Sequence, residues 1–519
     1  MSHLALPRPA VRRLVAALAA PLLVLLTVAA TPAPAAAGPA GRQGPPLSSG
    51  VTSVEVLSRT PLTLAGREWV RTAGVVRGAV DPREPVAGLA DQPTGHDGRF
   101  VWSSEFELIA PAASTGRSTV LVEAENRGAP LFLGALHSFS PGTVTPTKAA
   151  YPAGIGNGFL FEQGISYARV QWQTGISAGV PATAQGVGEV IVRDFGRLLS
   201  RSGPSQARGT LPTYTELLLA GVSQSAWFVN TLVAEGFNAD PRSGRGVFDG
   251  AIAVDGNGGW LAINQLAAGA PQTPYVLPNG VPLTLGQLLS RPKSDPVFVD
   301  VANYTDYYRL RASVSLSDPV PDGAFRYDWP SPHAGPSFPD AVVFGVLRCN
   351  DGVVVPRNPI SYQPYLRTVV AQLAETVRSG GGTALPPSAV FELQATPPPG
   401  TGDVNELPGL EVLVPSIDPD TAQPLGGVPF AEAALPLGRP RPVALSPVGT
   451  RSINDLCGNW GGWQPFSAAE LDERYGSVSS YLVEYAALLD DLIATDRLRA
   501  EERAGLLAAA ERSYLAAPA

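Results

Sequence analysis

Between Thr215 and Gly236 the chain reads TELLLAGVSQSAWFVNTLVAEG, an apolar run that stops at small residues, turns at Ser223 and resumes with helical character. A serine at the turn between a buried strand and a helix is placed for nucleophilic chemistry. The strand end presents the hydroxyl at the sheet edge, and the backbone N–H of Gln224, at the start of the helix, faces the place where an oxyanion would develop. Such a turn is tight, so the residues at Gly221 and Ser225 must be small. The pattern Gly221-Val222-Ser223-Gln224-Ser225 departs from G-x-S-x-G in its last place. A five-residue match of this kind also describes an ordinary strand-to-helix turn; the strand and helix around it are what favour the nucleophile.

A serine nucleophile needs a base. The chain holds four histidines, His3, His96, His137 and His333, and only His333 follows Ser223, as the chain order Ser, acid, His requires. Lys148 and Lys293 are the two lysines, and neither is placed for a Ser-Lys pair. The segment PVFVDVANYTDYYRL predicts a strand over Val297 to Val301 with Asp306 just beyond it, where a carboxylate would orient His333; Asp300, inside the strand, is the rival acid. The plainer reading of His333, in YDWPSPHAGPSFP, is a loop histidine with ordinary hydrogen bonds. A second oxyanion donor is expected from the loop VEAENRGAP, through the N–H groups of Arg127 and Gly128, although the Arg127 side chain could instead anchor that loop. His96 and His137 read as turn or pocket-wall residues. Neither a catalytic metal nor a cofactor is expected, because the chain shows no close His/Asp/Glu cluster.

These residues need a scaffold of strands and helices in alternation. STVLVEAENRG (Ser118 to Gly128) and ISYARVQWQTG (Ile165 to Gly175) read as strands, GEVIVRDFGRLLS (Gly188 to Ser200) as a helix, and Glu216 to Ala220 as a strand before the helix that follows Ser223. RGVFDGAIAVDG and DPVFVDVANYTDYY supply two more strands. Near-continuous apolar strands between helices indicate a parallel sheet covered on both faces; earlier, SVEVLSR and FVWSSEFELIAPA read as antiparallel strands that open it. After about Asp340 the texture turns rich in Pro and Gly around short strands such as LEVLVPSID, and the chain closes with helices near Tyr481 to Ile493 and Ala500 to Leu515. Leu482, Tyr485, Leu489 and Leu492 form an apolar stripe on the first.

The chain of 519 residues is 45% hydrophobic and 16% charged with a net charge of −8, a composition that buries a large core and carries no basic stripe for nucleic acid. Arg8, Arg12 and Arg13 precede an apolar segment from Leu14 to about Ala30, and Ala35-Ala36-Ala37 offers an A-x-A site. That pattern predicts a signal peptide over 1–37, cleaved near Ala37, and an extracellular protein with no stable membrane span after cleavage; an uncleaved anchor is the alternative. Residues 38–49 read as a flexible leader, 50–340 as the catalytic core and 341–519 as an extension or cap packed on it. Cys349 and Cys457, the two cysteines of an exported chain, predict one disulfide rather than buried thiols.

The segments VEAENRG, GVSQSAWF followed by GFNAD and GVFDG, NYTDYY, PHAGP, LVPSIDPDTAQPLGGV and DERYGS together resemble a bacterial family called alpha/beta hydrolase domain-containing protein. The resemblance covers nearly the whole chain after the leader. It implies an α/β-hydrolase fold, with a mainly parallel sheet flanked by helices and a C-terminal cap, and a triad of Ser223, Asp306 and His333. It also implies that the C-terminal third belongs to the same domain. Asp306 stands where the family commonly has Glu, Trp227 where it often has Arg, and Pro332-His333-Ala334 alters the histidine loop.

The expected function is a secreted serine hydrolase that cleaves small-molecule or lipid-like carboxylic esters through an acyl-enzyme. An acyltransferase with the same triad, or a non-catalytic wall or carbohydrate-binding protein using tryptophans such as Trp460 and Trp463, are the alternatives; core packing is the plainer role for both tryptophans. Nothing marks a peptide-binding groove. Oligomeric state and acyl preference are not written in the sequence.

Overall fold

The apolar runs around Ser223 become adjacent strands because each must bury both faces. In the computed structural model of the protein, nine strands form one sheet in the order β1-β2-β3-β5-β4-β6-β7-β8-β9. They are β1 (Gly50–Leu64), β2 (Arg67–Val80), β3 (Phe100–Pro111), β4 (Thr119–Ala124), β5 (Ser166–Val170), β6 (Glu216–Val222), β7 (Gly250–Val254), β8 (Val297–Asn303) and β9 (Ala324–Trp329). β1, β2, β3 and β5 pair antiparallel; β5, β4, β6, β7, β8 and β9 pair in parallel. The structure describes residues 49–113, 118–137, 155–201, 209–264, 280–335, 346–348, 354–380, 382, 384–397, 409–442 and 457–519.

Side-chain alternation explains why the parallel strands are apolar throughout. Leu217 and Leu219 of β6 point into a core shared with Phe228, Val229 and Ile191. Leu218, Ala220 and Val222 point into the opposite core with Leu366, Val370 and Leu133. The helices fall accordingly: α1 (Leu131–Leu136), α2 (Phe159–Glu162), α3 (Val187–Leu199), α4 (Gln224–Ala234), α5 (Leu285–Leu288), α6 (Tyr304–Arg309) and α7 (Gln363–Ser379). α3, α4 and α5 contribute to the first core, α1, α2 and α7 to the second. α4 is buried from Gln224 to Val233, which accounts for a helix that is apolar nearly all round rather than along one stripe. This mainly parallel sheet with helices on both faces is the α/β-hydrolase fold.

Among the elements that did not stand out in the sequence are β2, β9 and α7. The expected strand in LEVLVPSID shrinks to Val414–Pro415. The closing helices run over Val478–Ala494 and Arg503–Leu515, and the apolar side of the first is built from Tyr481, Tyr485, Leu489 and Leu492. Tyr481 thus takes the place expected for Leu482. The expected signal peptide, and the leader up to residue 48, lie outside the described residues, as does Cys349; Cys457 opens a short helix, Cys457–Trp460, but its side chain is not described, so the expected bridge has no geometry here. Among the described residues no helix is long and apolar enough to cross a membrane.

Candidate active site

Parallel strands in register end together, and their C-terminal ends carry the residues picked out by type. Val222 pairs with Val254, Val254 with Val301, and Asn303 with Trp329. The chain therefore releases Ser223, Asp255, Asp306 and His333 along one edge of the sheet.

Ser223 is the N-cap of α4 with φ 57 and ψ −123. For a residue with a Cβ this backbone costs about 1–3 kcal/mol, so the surrounding structure must hold it in place. It is held by the Ser223 N–H donating to Val254 O at 2.8 Å and by Ser223 O accepting from Ala226 N at 2.9 Å. Gly221 is required: a Cβ there would lie 2.4 Å from Ser225 O and 2.6 Å from Ser225 C. The serine that replaces the usual last glycine has a role of its own. Ser225 Oγ accepts from Val222 N and donates to Val222 O, both at 3.0 Å, and so cross-ties the turn.

His333, in the loop after β9, spans the gap between Ser223 and Asp306. Its Nε2 lies 2.9 Å from Ser223 Oγ and its Nδ1 lies 2.8 Å from Asp306 Oδ1. The loop is fixed by Thr305 Oγ1, which accepts from His333 N at 2.8 Å, and by Asn459 O, which accepts from Ala334 N at 2.9 Å. Asp306 sits in α6 rather than in a loop, is fully buried, and takes a further bond from Asn303 N at 3.0 Å. Burial alone would raise this carboxyl. The positive charge available to His333, the hydrogen bond to its ring, the neighbouring Asp255 carboxyl and the Asn303 N–H together hold it below the ordinary carboxylate value. The geometry suits a base whose Nδ1–H is fixed by a carboxylate and whose Nε2 accepts from a serine hydroxyl.

The rival acid is elsewhere. Asp300 points into the core below the edge, where its Oδ2 accepts from Arg326 Nη1; the same guanidinium donates through Nε to Asp328 Oδ1 at 2.7 Å. A buried arginine bridging two aspartates on β8 and β9 is a structural ion pair. Sequence reasoning passed over Asp255, which follows β7 with φ 62. Its Oδ2 lies 3.6 Å from His333 Nδ1, and Asn303 Nδ2 donates to its Oδ1. The signal was available in AIAVDGNGG, where an aspartate immediately follows an apolar strand.

Arg127 and Gly128 form the tip of a turn in which Asn126 and Ala129 exchange backbone bonds of 2.9 and 3.0 Å, and both tip residues have positive φ, 51 and 80. Asn126 Nδ2 donates to Val222 O at 3.0 Å, tying this turn directly to the serine turn. Arg127 Nη1 donates to Asn126 Oδ1 at 3.2 Å, so the side chain does brace the loop. Behind the turn, Glu123 accepts from Phe132 N and Leu133 N at 2.7 and 3.1 Å, filling the start of α1. Gln224 is fully buried at the first position of α4, where no preceding turn of helix supplies an acceptor for its N–H.

The other histidines lie apart. His96 is exposed in the turn Gly95–Arg99 closed by Gly95 N donating to Arg99 O at 2.8 Å. His137 is fully buried behind α1, its Nδ1 2.6 Å from Ile155 O and its Nε2 accepting from Leu160 N at 3.1 Å. Trp463 is buried, whereas Trp460 is partly exposed with the Arg357 guanidinium 5.2 Å from its ring centroid. Among the described residues, Asp255, Asp306 and His333 are the one group of acidic and histidine side chains close enough to share a metal ion. A histidine already bonded through both nitrogens to a carboxylate and a serine is a poor ligand for one.

Solved structures similar to the chain include Candida antarctica lipase A in its closed state, at 12% identity over 38% of this chain and 41% of that chain with a TM-score of 0.20. A rice cell wall degrading esterase from Xanthomonas oryzae aligns at 12% identity over 41% of this chain and 55% of that chain, TM-score 0.22. A glucuronoyl esterase from Solibacter usitatus aligns at 12% identity over 51% and 69%, TM-score 0.27. The chain thus spans about half the length of the first two, and likenesses of this depth bear on no residue's role. No curated protein matches the chain. The model of the alpha/beta hydrolase domain family matches residues 162–508, which include Ser223, Asp255, Asp306 and His333; the chain belongs to the alpha/beta hydrolase domain family.

Proposed function

We propose that the protein is a serine hydrolase of carboxylic esters, with Ser223 as nucleophile, His333 as general base and acid, and Asp306 as the carboxylate that orients His333. The observation that carries this reading is the single imidazole within hydrogen-bond distance of both partners, 2.9 Å from Ser223 Oγ and 2.8 Å from Asp306 Oδ1. His333 takes the Ser223 proton as Oγ attacks the ester carbonyl, then gives it to the leaving alcohol, and a water repeats the sequence to release the acid. The Gln224 N–H at the start of α4, with the Arg127-Gly128 turn, is the proposed oxyanion site. Residues 50–340 are taken as the catalytic core and 341–519 as its cap, and the basic, apolar and A-x-A pattern before Gly38 supports secretion.

The test is hydrolysis of activated esters of several acyl lengths by the chain from Gly38 onward. The reading requires turnover with at least one of them that is abolished in Ser223→Ala. Turnover equal in the parent and the variant, or none in the parent, would contradict it. Added alcohol or sugar separates the acyltransferase alternative, since a transferase forms the new ester in preference to the free acid.

A further inference from the structure

Asp255 and Asp306 emerge from neighbouring strands, β7 and β8, and both are completely buried. Each is in contact with the same imidazole edge: Asp306 Oδ1 is 2.8 Å from His333 Nδ1 and Asp255 Oδ2 is 3.6 Å from it. A carboxylate oxygen of each and a ring nitrogen of His333 all lie within 4.8 Å of one another. Asp255 Oδ2 is buried and takes no hydrogen bond from any donor among the described residues. Two carboxylates cannot bond to each other unless one of them carries a proton.

Resting on the proposed triad, we infer that Asp255 is a positioning residue held as the neutral acid, donating its proton to the Asp306 carboxylate and so fixing the acceptor that orients His333. The hydrogen-bond inventory decides which of the two keeps the proton. Asp306 already accepts from two donors, His333 Nδ1–H and Asn303 N–H, the pattern of an ionised carboxylate. Asp255 accepts from Asn303 Nδ2 through Oδ1, and its Oδ2 is beyond hydrogen-bond distance of the imidazole. Asn303 serves both acids, through its N–H and its amide, and is itself held by the Ser331 hydroxyl, which donates to Asn303 Oδ1.

The charges facing the pair agree with one proton rather than none. Arg309, at the end of α6, is the cation that acts on both carboxyls. Tyr362, before α7, is buried beside them, and burial makes its hydroxyl harder to ionise. Burial, followed by the adjacent Asp306 charge, pushes the Asp255 carboxyl well above the usual range. The Asp255 proton stays in place through the reaction; His333 alone moves the Ser223 proton. An ionised Asp255 would instead offer His333 a second acceptor and set the imidazole between two anchors.

The experiment compares wild type, Asp255→Asn and Asp255→Ala by infrared difference spectroscopy near neutral pH and by ester kinetics. Other buried carboxyls cancel in the difference. The inference expects a protonated-carboxyl C=O band in wild type that is missing in Asp255→Asn. It further expects Asp255→Asn, which keeps a neutral donor, to retain kcat within about 3-fold, while Asp255→Ala loses about 10–100-fold in kcat with KM little changed, the size of one charge-assisted hydrogen bond. Absence of the band, a loss in Asp255→Asn as large as in Asp255→Ala, or full activity in Asp255→Ala would each overturn it. The band needs no turnover, so it decides the state of the pair even if no ester is cleaved, in which case the proposed function fails separately.

Discussion

Replacing His137 by glutamine should remove a pH dependence of stability whose size follows from its surroundings. The ring is fully buried, with Nδ1 donating to Ile155 O at 2.6 Å and Nε2 accepting from Leu160 N at 3.1 Å. This arrangement needs the neutral imidazole, because the nitrogen that accepts a backbone N–H cannot also carry a hydrogen. Burial, only partly offset by the Ile155 carbonyl, pushes its pKa down to about 4 from an ordinary 6.5. The unfolded chain therefore binds a proton that the folded chain refuses between those values, so stability is intact above pH ~6.5 and falls as pH drops toward ~4. With RT of about 0.59 kcal/mol the loss works out to about 2.5 kcal/mol at about pH 4.5 relative to about pH 7.5. Urea unfolding of wild type and His137→Gln at the two pH values measures it. The difference in stability between the two proteins should narrow by about 2–3 kcal/mol on acidification. A difference that is the same at both pH values would refute the neutral, doubly bonded histidine.

Two further outcomes concern the edge of the sheet. Asp306→Asn removes the acceptor of His333 Nδ1–H and favours the tautomer whose Nε2 bears a hydrogen toward Ser223; kcat for ester hydrolysis should fall on the order of 10³-fold or more with little change in KM, whereas Asp300→Asn should lower the unfolding midpoint, because it takes away one partner of the buried Arg326, and spare kcat by comparison. Gly221→Ala places a methyl 2.4 Å from Ser225 O; it should destabilise the protein by about 1–3 kcal/mol and lower kcat as the turn shifts, measured by denaturation and steady-state kinetics, and an unchanged midpoint would contradict the close approach.

What could be read from residue order alone divides along physical lines. The strands of the parallel half were legible because both their faces are buried, which leaves apolar runs such as VFVDVAN and GAIAV. Ser223 and His333 were legible because strand-turn-helix context and chain order leave few choices. β9, AFRYDW, was not, because it carries Arg326 and Asp328, whose charges are satisfied by Asp300 and Tyr307 on other elements. α7 was hidden among Pro- and Gly-rich neighbours although it packs on the sheet through Leu366, Val370 and Leu373. Asp255 escaped because its meaning lies in the register of β7 with β8 and β9, which places it beside Asp306; no spacing along the chain encodes that pairing.

The central claim is an activated serine at Ser223, and the most direct measurement is labelling by a fluorophosphonate probe with the modified residue mapped by mass spectrometry. The proposed arrangement predicts label on Ser223, none in Ser223→Ala, and a sharp fall in rate in His333→Ala, whose serine loses the imidazole 2.9 Å away. A folded protein that takes no label, or one labelled equally fast without His333, would contradict it.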